Sequence, residues 1–220
     1  MTRISHHAKN ISASIPTIRR LPSYLQVVKR YRDSGHQVIS GTVIAEELEL
    51  AAIQVRKDLA VTGITGKPRV GYPVDELISA IENFLNWDKG CRAVVAGAGN
   101  LGSALMGYTE LKNHGLIIAA AFDISEEKQG KRSNGPEVFP FSEMKKVIKK
   151  TGARLGIITV PPLAAQEVCD KLIESGIRQI WNFTNVKLKV PDDILVLQED
   201  LSSGYAVLTA LKGVARGGKA

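Results

Sequence analysis

The sequence predicts an α/β chain in two parts, a small basic helical module followed by a doubly wound parallel sheet, and three observations predict it. From Met1 to Tyr72 there are 11 lysines and arginines against five acids, whereas the rest carries 18 against 17. Nearly all of the net charge of +7 therefore lies in the first third. From Cys91 onward short apolar runs alternate with amphipathic segments, the pattern of strands joined by crossover helices. At that junction GAGNLG (Gly97–Gly102) follows the apolar run CRAVVA with Gly-x-Gly-x-x-Gly spacing. A chain of 220 residues, 44% hydrophobic and 23% charged, is long enough for two small domains of ordinary globular composition.

No apolar run approaches the roughly 20 residues that span a bilayer, and MTRISHHAKN lacks the apolar stretch of a signal peptide. Cys91 and Cys169 lie far apart, without metal-ligand or redox spacing, and read as core thiols. These features predict a cytoplasmic protein with no membrane segment and no metal. An uneven positive charge points to a polyanion as partner for the first third; a merely solvated basic face is the alternative.

In that first third, Leu21–Gly35 reads as a helix with Pro22 in its first turn, an apolar stripe of Tyr24, Leu25, Val28 and Tyr31, and Gly35 as its stop. Ser40 is an N-cap for a short helix to Leu50 with Ile44 and Leu48 inward. A turn at Glu49–Ala51 leads to AAIQVRKDLAVTG, where Ala52, Val55 and Leu59 form the buried stripe and Gln54, Arg56 and Lys57 the open face. Two helices around a tight turn, the second carrying Gln, Arg and Lys outward, follow helix-turn-helix logic, since Gln and Arg can bond adenine and guanine edges. Ile64–Val74 reads as a β-wing, with Lys67 and Arg69 placed for phosphates or a minor groove. A three-helix packing module is the alternative. Val74–Asp88 is an amphipathic helix, with Leu77, Ile81, Phe84 and Leu85 on one side, expected to connect the two domains and pack on both.

In the remainder the predicted strands are Cys91–Ala96, Gly115–Asp123, EVFP, Arg154–Val160, Ile177–Phe183 and DILVLQ. The predicted helices are Asn100–Asn113, Phe141–Lys150, Leu163–Ser175 and Leu201–Lys212. The glycine spacing alone is weak evidence, but here a strand precedes it, a helix follows, and an acid, Asp123, ends the second strand 21 residues past Gly102. Gly97 serves the tight turn, Gly99 the approach to a pyrophosphate, and Gly102 the packing of helix on strand. Ala98, Asn100 and Leu101 complete the loop, with free N–H groups at the start of the helix. Asp123 would accept from the adenosine ribose hydroxyls, and its charge would disfavour a 2′-phosphate, so NAD(H) is expected over NADP(H). Thr159, Val160 and Pro161 of TVPP, and Asn182 and Phe183 of NFT, follow strands at the carboxyl edge, where a nicotinamide ring would lie.

A dehydrogenase needs a proton-transfer group beside the nicotinamide and usually a substrate domain. None of His6, His7, His36 and His114 follows the third predicted strand, and no length remains for a further domain. The chain is therefore expected not to be an enzyme but to read its dinucleotide. An NAD-dependent oxidoreductase with a fused helical oligomerisation module is the alternative, and a nucleotide- or CoA-binding structural protein a third reading.

RLPSYLQVV, QVRKDLA, GYPV, VVAGAGNLGSAL, AAFD, VPPLAAQEV, SGIRQIWNFT and VPDDILVLQEDLS together resemble the Rex family of redox-sensing transcriptional repressors, over about Ile15 to Leu211. The resemblance implies a homodimer with a winged helix (1–86), an NAD(H)-binding Rossmann domain (87–200) and a C-terminal helix and tail (201–220) exchanged between subunits. It implies binding to a palindromic double-stranded operator and release at a high NADH/NAD+ ratio. It makes Ser40, Gln54, Arg56 and Lys57, with Lys67 and Arg69 of the wing, DNA-facing residues, and Gly97–Gly102 with Asp123 the NAD(H) site. Tyr108 and Asp200 would couple the domains when NADH is bound, with Gln26 where some members have an arginine that pairs with the aspartate. Gly41 also stands where a serine is usual. Tyr108 as a core residue and the last helix as a cover for its own sheet are the plain alternatives. A dry pocket would favour NADH, whose ring is uncharged, over NAD+, and a ligand shifts the DNA-reading surfaces only through differential affinity for two states.

Overall fold

The computed structural model describes residues 13–133 and 135–216; the segment MTRISHHAKN and the last four residues lie outside them. The described chain divides into two compact units, one ending at Gly90 and one beginning at Cys91.

The first unit is built from α1 (Ile15–Asp33), β1 (Val38–Ile39), α2 (Gly41–Glu47), α3 (Ala52–Ala60), β2 (Tyr72–Pro73) and α4 (Val74–Phe84). Helix α1 starts six residues earlier than its apolar stripe suggests. Ser14 caps it by accepting from the Thr17 N–H at 3.3 Å, Pro16 occupies the first turn, and Pro22 lies in the interior instead. An interior proline removes one helical hydrogen bond; complete burial of Leu21, Tyr24, Leu25 and Val28 holds the helix through it. Ser40 is the cap of α2, its hydroxyl accepting from the Val43 N–H at 3.2 Å. Helix α4 packs Leu77, Ile78 and Ile81 into this unit's core. Trp87 packs there too, which carries the unit past residue 86 to Gly90.

The wing differs from a simple hairpin. Lys67 and Gly71 close a tight turn with Arg69 at φ 62°, but Tyr72–Pro73 pairs antiparallel with Val38–Ile39, before α2. Gly71 (φ +105°) permits this crossing, because a Cβ there would collide with the Ile39 carbonyl.

The second unit holds β3 (Cys91–Ala96), β4 (Leu116–Phe122), β5 (Val138–Phe139), β6 (Leu155–Ile158), β7 (Gln179–Asn182) and β8 (Leu195–Gln198) in one parallel sheet of order β5-β4-β3-β6-β7-β8. This is the doubly wound Rossmann order, whose switch point lies between its first and fourth strands, here β3 and β6. The helices are α5 (Asn100–Met106), α6 (Thr109–Asn113), α7 (Met144–Thr151), α8 (Ala165–Glu174) and α9 (Leu201–Arg216). The helix expected over Asn100–Asn113 is interrupted, with Gly107 capping α5 and Tyr108 preceding α6. One sheet face buries Val94, Phe122, Ile158 and Ile180 under Val147 and Ile148 of α7 and Cys169 and Leu172 of α8. On the other face, Leu116, Ile118, Leu155, Trp181 and Phe183 are only half-buried. Cys169 is a core thiol as expected; Cys91, the first residue of β3, is only half-buried.

Candidate functional site

The outer face of α3 is set by a buried carboxylate beneath it. Asp58, 1% exposed, accepts from Arg20 Nε (2.7 Å) and Nη2 (3.0 Å), Tyr24 Oη (2.7 Å), Thr17 Oγ1 (3.0 Å) and Gln54 Nε2 (2.9 Å). Burial pushes its pKa up, but these donors more than reverse it and hold it down to about 2. Burial, then the bond to Asp58, pushes the Tyr24 phenol up to about 12. Thr17, Arg20 and Tyr24 lie on α1, so the cluster pins α3 to α1 with its register defined.

This corrects one placement. Gln54 does not stand on the open face beside Arg56 and Lys57; it is half-buried and its amide is turned toward Asp58. Arg56 and Lys57 are exposed as expected, and so are Lys67 and Arg69 at the wing tip. Ser40 is half-buried, with its oxygen engaged as the cap.

At the switch point the three glycines stand in three different surroundings. Gly97 has φ +103°, and a Cβ there would press on Thr159. At Gly102 a Cβ would collide with the Gly97 carbonyl, so α5 can sit this close to the loop only without a side chain. Gly99 meets no protein atom: the space a side chain would take is open. That is where a pyrophosphate would approach, and the residues present fit a dinucleotide. Ala98 is buried, while Asn100 is exposed and Leu101 half-buried at the start of α5. Thr159 holds the loop down, its hydroxyl 2.8 Å from the Gly97 carbonyl and 3.1 Å from that of Ala96.

Asp123 is brought to this loop, but as a brace. Its carboxylate, 6% exposed as a residue, accepts from the Ala98 N–H at 2.7 Å and the Ser125 N–H at 2.9 Å, with Lys128 Nζ at 3.4 Å. Burial pushes its pKa up, and these partners bring it below the ordinary carboxylate value. Because Lys128 offsets its charge, repulsion of a 2′-phosphate by this carboxylate is weaker than spacing alone implies.

Asn182 is a second correction. It is fully buried and spent inside the protein, donating to the Val186 carbonyl (2.9 Å) and Gln198 Oε1 (2.7 Å) and accepting from the Thr184 N–H (3.0 Å) and hydroxyl (2.9 Å). It shapes the turn after β7 and has nothing left for a ring amide. Phe183 is half-buried, its ring centroid 4.9 Å from that of Trp181. Val160 is half-buried and Pro161 exposed at the end of β6.

Tyr108 is 56% exposed, which removes its reading as a core residue. Asp200 is exposed and immediately precedes α9, accepting from the Ser202 N–H at 2.9 Å and hydroxyl at 2.6 Å. Gln26 is exposed on α1, in the other unit. Helix α9 does not cover its own sheet: Leu201, Tyr205, Val207, Leu208 and Leu211 are 57–71% exposed. Ile124 (86% exposed), directly after Asp123, escaped the sequence reading. It is an apolar side chain just past the carboxyl end of β4, a signal that a search for polar groups passes over. Among the described residues no group of histidine, cysteine or acidic side chains could hold a metal, and no helix is long and apolar enough to cross a membrane.

A basic helix-turn-helix unit with a wing, joined to a fingerprint-bearing sheet of Rossmann order, defines a DNA-binding regulator that carries a nucleotide domain. Residues 12–60 match the DNA-binding protein N-terminus family, and residues 88–186 the CoA binding domain family. The chain is 53% identical to the redox-sensing transcriptional repressor Rex of Treponema denticola over 91% of this chain and 96% of that one. It is 40% identical to the repressor Rex 1 of Thermotoga maritima, over 88% and 93%. Among solved structures, RSP in complex with β-NAD+ and operator DNA superposes with a TM-score of 0.83 at 31% identity, covering 94% of this chain and 99% of that one. RSP with β-NADH gives 0.82 at 30%, covering 93% and 96%. The chain belongs to the Rex family of redox-sensing transcriptional repressors.

Proposed function

We propose that this chain binds a palindromic operator as a homodimer and leaves it when NADH binds, so that transcription follows the NADH/NAD+ ratio. The observation that carries this reading is the pairing, on one chain, of an exposed Arg56–Lys57 face with a glycine loop whose Gly99 position stands open. Relatives named as redox-sensing repressors support it, as does RSP, solved once with NADH and once with NAD+ and operator DNA. Arg56 and Lys57 face the major groove, Lys67 and Arg69 the flanking phosphates or minor groove, and the Ser40 hydroxyl a phosphate. Gly97–Gly102 hold the pyrophosphate and Asp123 orders that loop from behind at the ribose end. Thr159, Val160, Pro161 and Phe183 line the nicotinamide end. The bare apolar side chains of α9 are met by a second copy of the chain, and Gln26, Tyr108 and Asp200, all exposed, are the polar coupling points. The protein works in the cytoplasm, where its DNA lies. NAD(H) is a ligand that is read, and the chain turns over no substrate.

The test is operator binding by the full-length protein at fixed salt, titrated separately with NADH and NAD+. Release by NADH at concentrations where NAD+ has little effect supports the reading. Binding indifferent to both overturns it.

A further inference from the structure

Resting on the reading of α3 as the helix that enters the major groove, we infer that Ile53 reads the C5-methyl group of a thymine in each half-site. Helix α3 is sharply two-faced. Val55, Asp58 and Leu59 are at most 1% exposed. The opposite stripe, Ile53, Arg56, Lys57 and Ala60, is exposed at spacings i, i+3, i+4 and i+7. Within that stripe Ile53 is an apolar side chain 58% open to solvent, on the second residue of the helix. Nothing in the fold asks for it. A β-branched residue is a mediocre helix former, and this one contributes little to the core.

The first turn of a groove-entering helix is the part that meets base edges. The polar reader next to Ile53 is withdrawn, because the Gln54 amide is held at 2.9 Å by Asp58. Arg56 is also drawn back along the helix, its Nε donating to the Ala52 carbonyl at 3.3 Å. What α3 offers at its leading end is thus a hydrocarbon surface flanked by two cations that phosphates or guanine would hold. In the major groove the one apolar group on any base edge is the thymine methyl.

The experiment lets the protein choose its own site. Full-length protein selects duplexes from a random library, and each thymine of the selected site is replaced singly by deoxyuridine, which deletes only the methyl. At one thymine per half-site, deoxyuridine is expected to weaken wild-type binding about 4-fold, the worth of one buried methyl. Ile53→Ala should bind thymine and deoxyuridine duplexes equally, and Ile53→Val should keep part of the difference. Wild-type binding indifferent to every replacement overturns the inference while leaving the DNA-binding reading intact. So does an Ile53→Ala protein that retains the full deoxyuridine penalty. Failure to select any duplex overturns both.

Discussion

Arg20 donates its Nε–H to Asp58 at 2.7 Å, and this bond ties α1 to the helix that carries Arg56 and Lys57. The acid is almost wholly buried while the arginine side chain keeps 29% exposure to water. Removing the acid therefore leaves a cation that water can still solvate in part. It also leaves the Tyr24 hydroxyl, a buried donor, without its acceptor. Asp58→Ala is expected to destabilise the N-terminal unit by about 2–3 kcal/mol. Differential scanning calorimetry should show the melting transition of this unit fall, and operator affinity should fall with it. An unchanged transition would mean that packing alone sets the position of α3.

The same carboxyl predicts an acid limit. A group held at about 2 instead of 3.8 stabilises the fold by about 2 kcal/mol at neutral pH. Its folded pKa is depressed, so the stabilisation is complete above about pH 4 and is lost as pH falls from there to 2. Tyr24 works in the other direction: raised from 10 to about 12, it adds stability that is present below pH 10 and lost between 10 and 12. Denaturant melts across pH should show both limbs. Asp58→Asn should flatten the acid limb and Tyr24→Phe the alkaline one.

What is legible in the sequence depends on the range of the interactions. The strand, the glycines and the acid of the fingerprint are local and periodic, and all stand in their expected places. So do the cap at Ser40 and the charged face of Arg56 and Lys57. What escapes is the spending of side chains. Gln54 and Asp58, one turn apart, are an ordinary helical pair, but nothing local says that Asp58 is buried under Thr17, Arg20 and Tyr24 of α1, or that Asn182 is tied to Gln198, 16 residues on. The pairing of β2 escapes for the same reason: its partner, Val38–Ile39, lies more than 30 residues earlier. The early start of α1 has a legible signal in Ser14 and Pro16, masked by Pro22, which mimics a helix start.

The glycines at 99 and 102 separate ligand binding from folding. A methyl at Gly99 meets no protein atom, so Gly99→Ala should melt like the wild type while losing at least about 10-fold in NADH affinity. A methyl at Gly102 meets the Gly97 carbonyl, so Gly102→Ala should lower both stability and binding. Fluorescence titration with NADH, paired with thermal melts, checks the contrast. Equal melting losses in the two variants would refute the assignment of open space at Gly99.

Helix α9 is amphipathic, and among the described residues nothing covers its apolar side chains. Leu201, Tyr205, Val207, Leu208 and Leu211 stay more than half exposed, an apolar surface of a kind that soluble monomers rarely leave bare. If a second copy covers it, replacing Tyr205, Leu208 and Leu211 together by serine removes the apolar contact without touching either core. Sedimentation equilibrium should then show a monomer where the wild type is a dimer. Each winged unit should still bind DNA, but a two-half-site operator should lose its advantage over a single half-site. That advantage arises because a dimer links two weak binding events into one. A triple variant that remains dimeric would place the subunit contact elsewhere, the half-covered sheet face of Leu116, Ile118 and Trp181 being the next surface to probe.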